Sequence, residues 1–185
     1  MLIRHAQTTR DAQACADIYA PFVRDSAVSF ENEPPSAAEF AARIARLSAT
    51  HAWLVAEDAD GRVVGFAYGC PHRERAAYRW ATEVSVYIDA RAHGQGVGRA
   101  LYTALFDLLG RQGYRIACAG IALPNEASLG LHRAFGFEPI GVYRGIGWKA
   151  GAWRDVSWWQ LRLGPQNDGE TPTEPGPPVR VERPA

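Results

Sequence analysis

Between His93 and Gly110 the chain reads HGQGVGRALYTALFDLLG, with glycines at positions 94, 96 and 98 running into an apolar helical pattern. Glycine lets backbone N–H groups approach a ligand with no side chain in the way. A helix start adds donors that lack an intrahelical acceptor, and the positive end of the helix dipole. Together they suit a phosphate or pyrophosphate. A P-loop does not fit, because Arg99-Ala100 stands where Lys and Ser/Thr are needed. A dinucleotide fingerprint does not fit either, because the spacing is GxGxG and the loop lies mid-chain. A strand-to-helix turn that holds nothing has the same local pattern, so the loop alone leaves both readings open.

Three other side chains have acid–base chemistry. Glu83 lies at the start of the apolar stretch ATEVSVYI. A carboxylate partly buried there is expected to have a raised pKa and to take a proton directly or through water. An exposed acid at a strand end would read the same way. His132, in LGLHRAFGF, titrates near neutral pH, but a packed helical histidine is the plainer alternative. Tyr102, in the helix after the glycines, serves equally as a proton donor or as core. Arg75 offers a planar fork for a carboxylate, or is simply a surface arginine.

These residues need elements to place them. Leu2–Arg4 reads as a first strand, and Asp11–Val23 as a helix with Cys15, Ile18, Tyr19 and Phe22 at helical spacing. Ser36–Ser48 is a helix that opens with a capping box, Ser36 and Glu39. Ala52–Glu57 and Val63–Cys70 form a strand pair around Asp60-Gly61. Glu83–Asp89 is a strand, Gly98–Gln112 a helix, Tyr114–Ile121 a strand, and Ser128–Phe135 a helix capped by Asn125. Gly141–Trp148 and Asp155–Leu163 close the pattern as strands. The order predicts an α+β protein with helices on the faces of a sheet.

Composition excludes several classes. Lys plus Arg equals Asp plus Glu at 20 each, so no basic surface for nucleic acid or membrane is expected. No apolar run approaches the roughly 18 residues of a membrane span, and the N-terminus lacks a signal-peptide core. Cys15, Cys70 and Cys118 are scattered, which predicts neither disulfides nor a metal site and suggests a reducing, cytoplasmic setting. The chain divides into residues 1–164, one domain, and a Pro/Gly-rich segment from Pro165 to Ala185. That segment has too little apolar surface to offset its ordering entropy, so it is expected to be a flexible tail or a strap.

The glycine loop resembles motif A of the GCN5-related N-acetyltransferases, usually Gln/Arg-x-x-Gly-x-Gly/Ala. In that family the loop amides hold the pyrophosphate of acetyl-CoA. The resemblance implies a cofactor site built from His93, Gly94, Gln95, Gly96, Val97, Gly98 and Arg99, with His93 departing from the usual Gln/Arg. LPNEASLGLHRAFGFEPIG is similar to the family's second motif, Asn-x-x-Ala-x-x-x-Tyr-x-x-x-Gly-Phe. There Asn125 would bond the pantetheine arm, Ser128 would start the helix beside it, and His132 replaces the tyrosine that protonates the leaving thiolate.

The stretches IYAPFVRDSAVSFENEPPS, RERAAYRWATEVSVYI, GRALYTALF and WKAGAWRDVSWWQLRL are similar to the subfamily of phosphinothricin and methionine sulfoximine acetyltransferases. The resemblance spans Leu2 to Leu163. It implies a three-layer fold with a central mixed, mostly antiparallel sheet flanked by helices. It also implies Glu83 as general base and His132 as acid or part of a proton path; Tyr102, in the motif A helix, would donate a proton or line the CoA channel. Amides of Val86, Tyr87 and Ile88 would face the thioester on a strand that parts from its neighbour, often at a bulge. Arg75 and Tyr78 match the subfamily's RxxY pattern for the acceptor, with Ser85, Tyr87 and Phe30 around the same pocket. The four tryptophans Trp148, Trp153, Trp158 and Trp159 are read as core or as the interface of a homodimer. The acceptor is then a small amino-acid-like amine. A protein N-terminus or another amine, an acyl-CoA-binding module without chemistry, and a phosphotransfer protein remain the alternatives.

Overall fold

A computed structural model describes residues 1–164 and 175–180. Seven strands form one sheet in the order β1-β2-β3-β4-β5-β7-β6. They are β1 (Leu2–His5), β2 (Trp53–Glu57), β3 (Val63–Pro71), β4 (Ala81–Ile88), β5 (Ile116–Ala122), β6 (Glu138–Lys149) and β7 (Ala152–Arg162). Every neighbouring pair is antiparallel except β4 and β5. Helices α1 (Thr8–Arg24) and α2 (Ala37–Ser48) pack on one face; α3 (Val97–Gln112) and α4 (Glu126–Ala134) pack on the other. No described helix is long and apolar enough to cross a membrane.

Alternation along the central strands feeds two cores. Val84, Leu54, Ala67, Ala117 and Trp159 join Leu101, Leu105 and Leu109 of α3. Val55, Phe66 and Trp53 join Cys15, Ile18, Phe40 and Ile44 of α1 and α2. The capping box forms as the sequence predicts: Ser36 Oγ accepts from Glu39 N–H and Glu39 accepts from Ser36 N–H. Asn125 Oδ1 accepts from Ser128 N–H and caps α4.

The last hairpin is longer than its sequence pattern predicts, Glu138–Lys149 and Ala152–Arg162 instead of Gly141–Trp148 and Asp155–Leu163. Its turn is only Ala150-Gly151, both at positive φ (52° and 72°). Ala is not a residue that signals such a turn, so the strands read as if the gap between them were wider. A bulge interrupts β6 between Tyr143 and Gly147, where Gly145 N–H donates to Asp155 Oδ1 at 2.8 Å. Beyond β7, residues 175–180 return to the domain: Trp80 Nε1 donates to Gly176 O and Val179 N–H to Gln112 O, each at 2.8 Å. The rest of the segment from Pro165 lies outside the described residues.

Candidate active site

β4 and β5 pair only from Ala81↔Ile116 to Glu83↔Cys118. Both strands continue past that rung, β4 to Ile88 and β5 to Ala122, without meeting. On its other edge β4 stays in unbroken register with β3, from Pro71↔Thr82 to Gly65↔Ile88. The parting therefore needs no bulge in β4. It leaves the β5-facing edge of β4 beyond Glu83 without a strand partner. Amides alternate along a strand. Because Asp89 N–H donates to Val64 O of β3, the Tyr87 amide also points to β3 and, against expectation, only those of Val86 and Ile88 among the three face the gap.

A cavity of about 560 Å3 fills this gap. Its walls are Val84–Ile88 of β4 and Ala119–Ala122 of β5, closed by α3 and α4 on one face and by Phe22 and Val28 on the other. It therefore passes through the sheet from face to face. The glycine loop forms one end. Gly94 and Gly96 adopt φ of 75° and 78°, and a Cβ at either would meet nothing within 4 Å. Gly96 is the N-cap of α3 and provides no side-chain cap. The first N–H of the helix ladder is that of Ala100, donating to Gly96 O, so the donors of Val97, Gly98 and Arg99 are left for a ligand. Gly98 differs, since its Cβ would touch Leu131 at 3.4 Å; it sets the approach of α3 to α4. Arg99 lies over the Phe135 ring at 5.9 Å, and both it and His93 line the cavity. His93 Nε2 also donates to Ile88 O at 3.1 Å, tying the loop to the end of β4. Gln95 turns away, its amide donating to Arg91 O, and is absent from the cavity wall. These features fit a diphosphate with an extended arm, which Asn125 and Ser128 would flank from the start of α4.

On the α3–α4 face, Tyr102 and His132 meet at the cavity wall, hydroxyl to Nε2 at 3.2 Å. His132 Nδ1 lies 2.8 Å from the Ser128 carbonyl, which only accepts. Nδ1 therefore carries the hydrogen, and Nε2 accepts from Tyr102 when the ring is neutral. Desolvation by burial lowers the His132 pKa and raises that of Tyr102, so both are neutral near pH 7.

The opposite face carries Glu83. Its carboxylate is bonded by His72 Nδ1 at 3.0 Å and approached by Arg73 at 3.6 Å. Sequence reasoning missed both partners. Glu83 itself is not on the cavity wall, although Val84 and Ser85 beside it are. Ser85 pairs with the Tyr68 hydroxyl, and Tyr87 packs edge-on to Tyr19 and Phe22 at 4.7 and 5.2 Å. Tyr78 reaches the group through His72, ring to ring at 5.8 Å. Arg75 is exposed at the start of a 3-10 turn, where its carbonyl accepts from Tyr78 N–H at 2.9 Å. Phe30 packs over Gly147 of β6, where a Cβ would fall on its ring.

The loop between α1 and α2 that carries Phe30 and Val28 is pinned by residues the sequence did not single out. Arg43 bonds both oxygens of Glu31 at 2.7 and 2.8 Å, Tyr19 donates to Glu31 at 2.9 Å, and Lys149 of β6 donates to the Glu31 carbonyl. The Arg43 guanidinium holds the Glu31 carboxyl below the usual carboxylate range. The tryptophans divide. Trp159 is core, Trp158 covers Gly120 beside the cavity, and Trp148 and Trp153 are 60 % and 66 % exposed.

Central parallel strands that part over a glycine-led helix start define an acyltransferase of the GCN5-related class. Residues 3–158 match the family model described as acetyltransferase (GNAT) domain, and the chain belongs to that family and is an N-acetyltransferase. It is 38 % identical over 170 residues to the phosphinothricin N-acetyltransferase of Streptomyces viridochromogenes, covering 92 % of this chain and 89 % of that one. A phosphinothricin acetyltransferase from Sinorhizobium meliloti, solved with acetyl-CoA, superposes with a TM-score of 0.87 at 35 % identity, covering 94 % of this chain and 93 % of that one. The ribosomal-protein-alanine N-acetyltransferase of Brucella melitensis superposes at 0.81 with 32 % identity over 88 % of this chain and 99 % of that one.

Proposed function

We propose that the chain transfers acetyl from acetyl-CoA to the amino group of a small amino-acid-like acceptor of the phosphinothricin or methionine sulfoximine type. One observation carries this reading: the cavity crosses the sheet, with the phosphate-suited loop and the Tyr102–His132 pair toward one face and Glu83 on the other. A thioester lying in the gap is then open to an amine from the Glu83 side while its sulfur departs on the Tyr102 side. Glu83 supplies the negative charge that draws the ammonium proton, directly or through a hydrogen-bonded relay. Free amides on the β5-facing edge of β4, with those of Val86 and Ile88 the candidates, receive the oxyanion. The Tyr102–His132 pair holds one transferable hydrogen between its side chains, the hydroxyl of Tyr102, which meets the departing sulfur.

The acceptor's carboxylate is assigned to the Arg75–Tyr78 turn, next to His72 and Glu83. The exposed apolar side chains of the last hairpin, Ile140, Val142, Tyr143, Ile146, Trp148 and Trp153, support a homodimer formed on that face. Cys15, Cys70 and Cys118 are free thiols, which supports a reducing, cytoplasmic setting.

The test is thiol release from acetyl-CoA with L-phosphinothricin, with L-methionine sulfoximine, and with a peptide that presents an N-terminal alanine. Release with either amino acid and none with the peptide is the expected result. Release with the peptide alone would replace the acceptor class and keep the cofactor.

A further inference from the structure

Glu83 is hydrogen-bonded to a second side chain able to carry a proton. His72, just past the end of β3, turns back so that Nδ1 lies 3.0 Å from Glu83 Oε1, and the two side chains are 17 % and 29 % exposed. An ionised carboxylate only accepts, so Nδ1 carries the hydrogen and Nε2 keeps its lone pair. Among the described residues Nε2 has no hydrogen-bond partner, and it is not one of the buried polar atoms left unpaired, so it opens to solvent. Tyr78 and Trp158 stand edge-on to the ring at 5.8 and 6.1 Å. Trp158 covers Gly120, whose Cβ would lie 3.2 Å from its ring, and Gly120 lines the cavity. The imidazole therefore sits beside the last β4–β5 rung, on the face opposite Tyr102 and His132.

We propose that His72 is a catalytic residue: its Nε2 takes the proton from the acceptor's ammonium, and Glu83 orients the imidazole and stabilises the imidazolium. This rests on the amino-acid acceptor reading above. The arrangement follows the logic of a carboxylate behind a histidine base. The N–H bond of the ammonium breaks as the N–H bond of the imidazolium forms. The freed amine lone pair makes the C–N bond at the thioester carbon, and the C–S bond breaks as the adduct collapses. The adduct nitrogen loses a second proton, which ends on the thiol, and the imidazolium gives its proton to water. One proton per turnover is released, as conversion of an ammonium and a thioester to an amide and a thiol requires.

The groups facing the pair do not take over its role. Arg73 from the same turn adds positive charge at 3.6 Å from Glu83. Cys70 of β3 and Cys118 of β5 flank Glu83 in register. Desolvation by burial pushes both thiols up, Cys70 to about 11, so neither competes as a base near neutral pH. Tyr78 presents an aromatic edge, and β7 contributes only the Trp158 ring.

The test is the pH profile of kcat and of KM for each substrate in wild type, His72→Asn and His72→Ala. Asn keeps an N–H toward Glu83 and cannot carry the proton. The expected result is a fall of about 10²-fold in kcat for His72→Asn. The KM for acetyl-CoA stays unchanged, the limb of the kcat profile that reports the base is lost, and added imidazole partly restores His72→Ala. A His72→Asn enzyme with wild-type kcat and the same limb overturns the proposal, and so does one changed only in acceptor KM. Unaltered stabilisation of His72→Asn by acetyl-CoA controls for folding. A wild type that turns over no amino acid contradicts the acceptor reading instead. Ring 15N NMR then judges the pairing separately: a His72 titration identical in wild type and Glu83→Gln overturns it, and an Nδ1–H tautomer disturbed by Glu83→Gln supports it.

Discussion

At the scale of single residues, the three loop glycines serve different ends. Gly94 and Gly96 are needed for their positive φ, with open space around them, and Gly98 for its distance to Leu131. Any side chain at Gly96 adds about 1–2 kcal/mol of left-handed strain at the residue that caps the free donors of α3. Gly96→Ala is expected to weaken acetyl-CoA binding at least tenfold with little change in kcat at saturation, as calorimetric titration and steady-state rates would show. Tyr102→Phe keeps the ring packing on Phe106 and His132 but removes the one shared hydrogen. It is expected to lower kcat by about tenfold or more, with the KM for acetyl-CoA unchanged. The loop and both these residues were legible in the sequence because each stands in a local motif. His72 was not. It is joined to Glu83 by the register of β3 on β4, and the turn between those strands contains a 3-10 segment whose geometry no short pattern encodes.

At the scale of elements, the site depends on two strands that part and a loop that is clamped. The parting of β4 and β5 was expected from resemblance, yet the expected bulge is absent: β4 follows β3 throughout and leaves β5 after Glu83. The α1–α2 loop is held by Glu31 between Tyr19, Arg43 and Lys149, and by Phe30 seated on Gly147. Those contacts join residues far apart in the chain, so composition and periodicity could not reveal them. Gly147→Ala is expected to displace Phe30 and raise the acceptor KM, with acetyl-CoA binding retained. An unchanged acceptor KM would remove Phe30 from the acceptor wall. The extra length of the last hairpin was hidden by Ala150, an alanine in a conformation that usually selects Gly or Asn.

At the scale of the whole molecule, buried ionisable groups set the acid limit. Asp11 is buried and bonded by Arg4, which also bonds Glu57 and so ties α1 to β1 and β2. Arg4→Met strands that carboxylate and is expected to cost about 3–5 kcal/mol in a denaturant melt. His51, stacked on Tyr114 at 4.7 Å, is lowered from 6.5 to about 4 by desolvation. Between those values the unfolded chain binds a proton that the folded chain refuses, so stability falls as pH drops from 6.5 toward 4. His132 is lowered for the same first reason and adds to the loss. His51→Phe is expected to keep the stack and flatten the melting temperature across that window relative to wild type.

The proposed transfer joins the two faces of the sheet: acetyl-CoA held by the α3 loop, and a proton drawn from the acceptor on the side of Glu83. The most direct measurement is thiol release by wild type and Glu83→Gln with acetyl-CoA and L-phosphinothricin or L-methionine sulfoximine, beside the acetyl-CoA affinity of both proteins. The expected result is unchanged acetyl-CoA affinity and a fall in turnover of at least about 10²-fold for Glu83→Gln. Turnover by Glu83→Gln at the wild-type rate would remove Glu83 from the proton transfer.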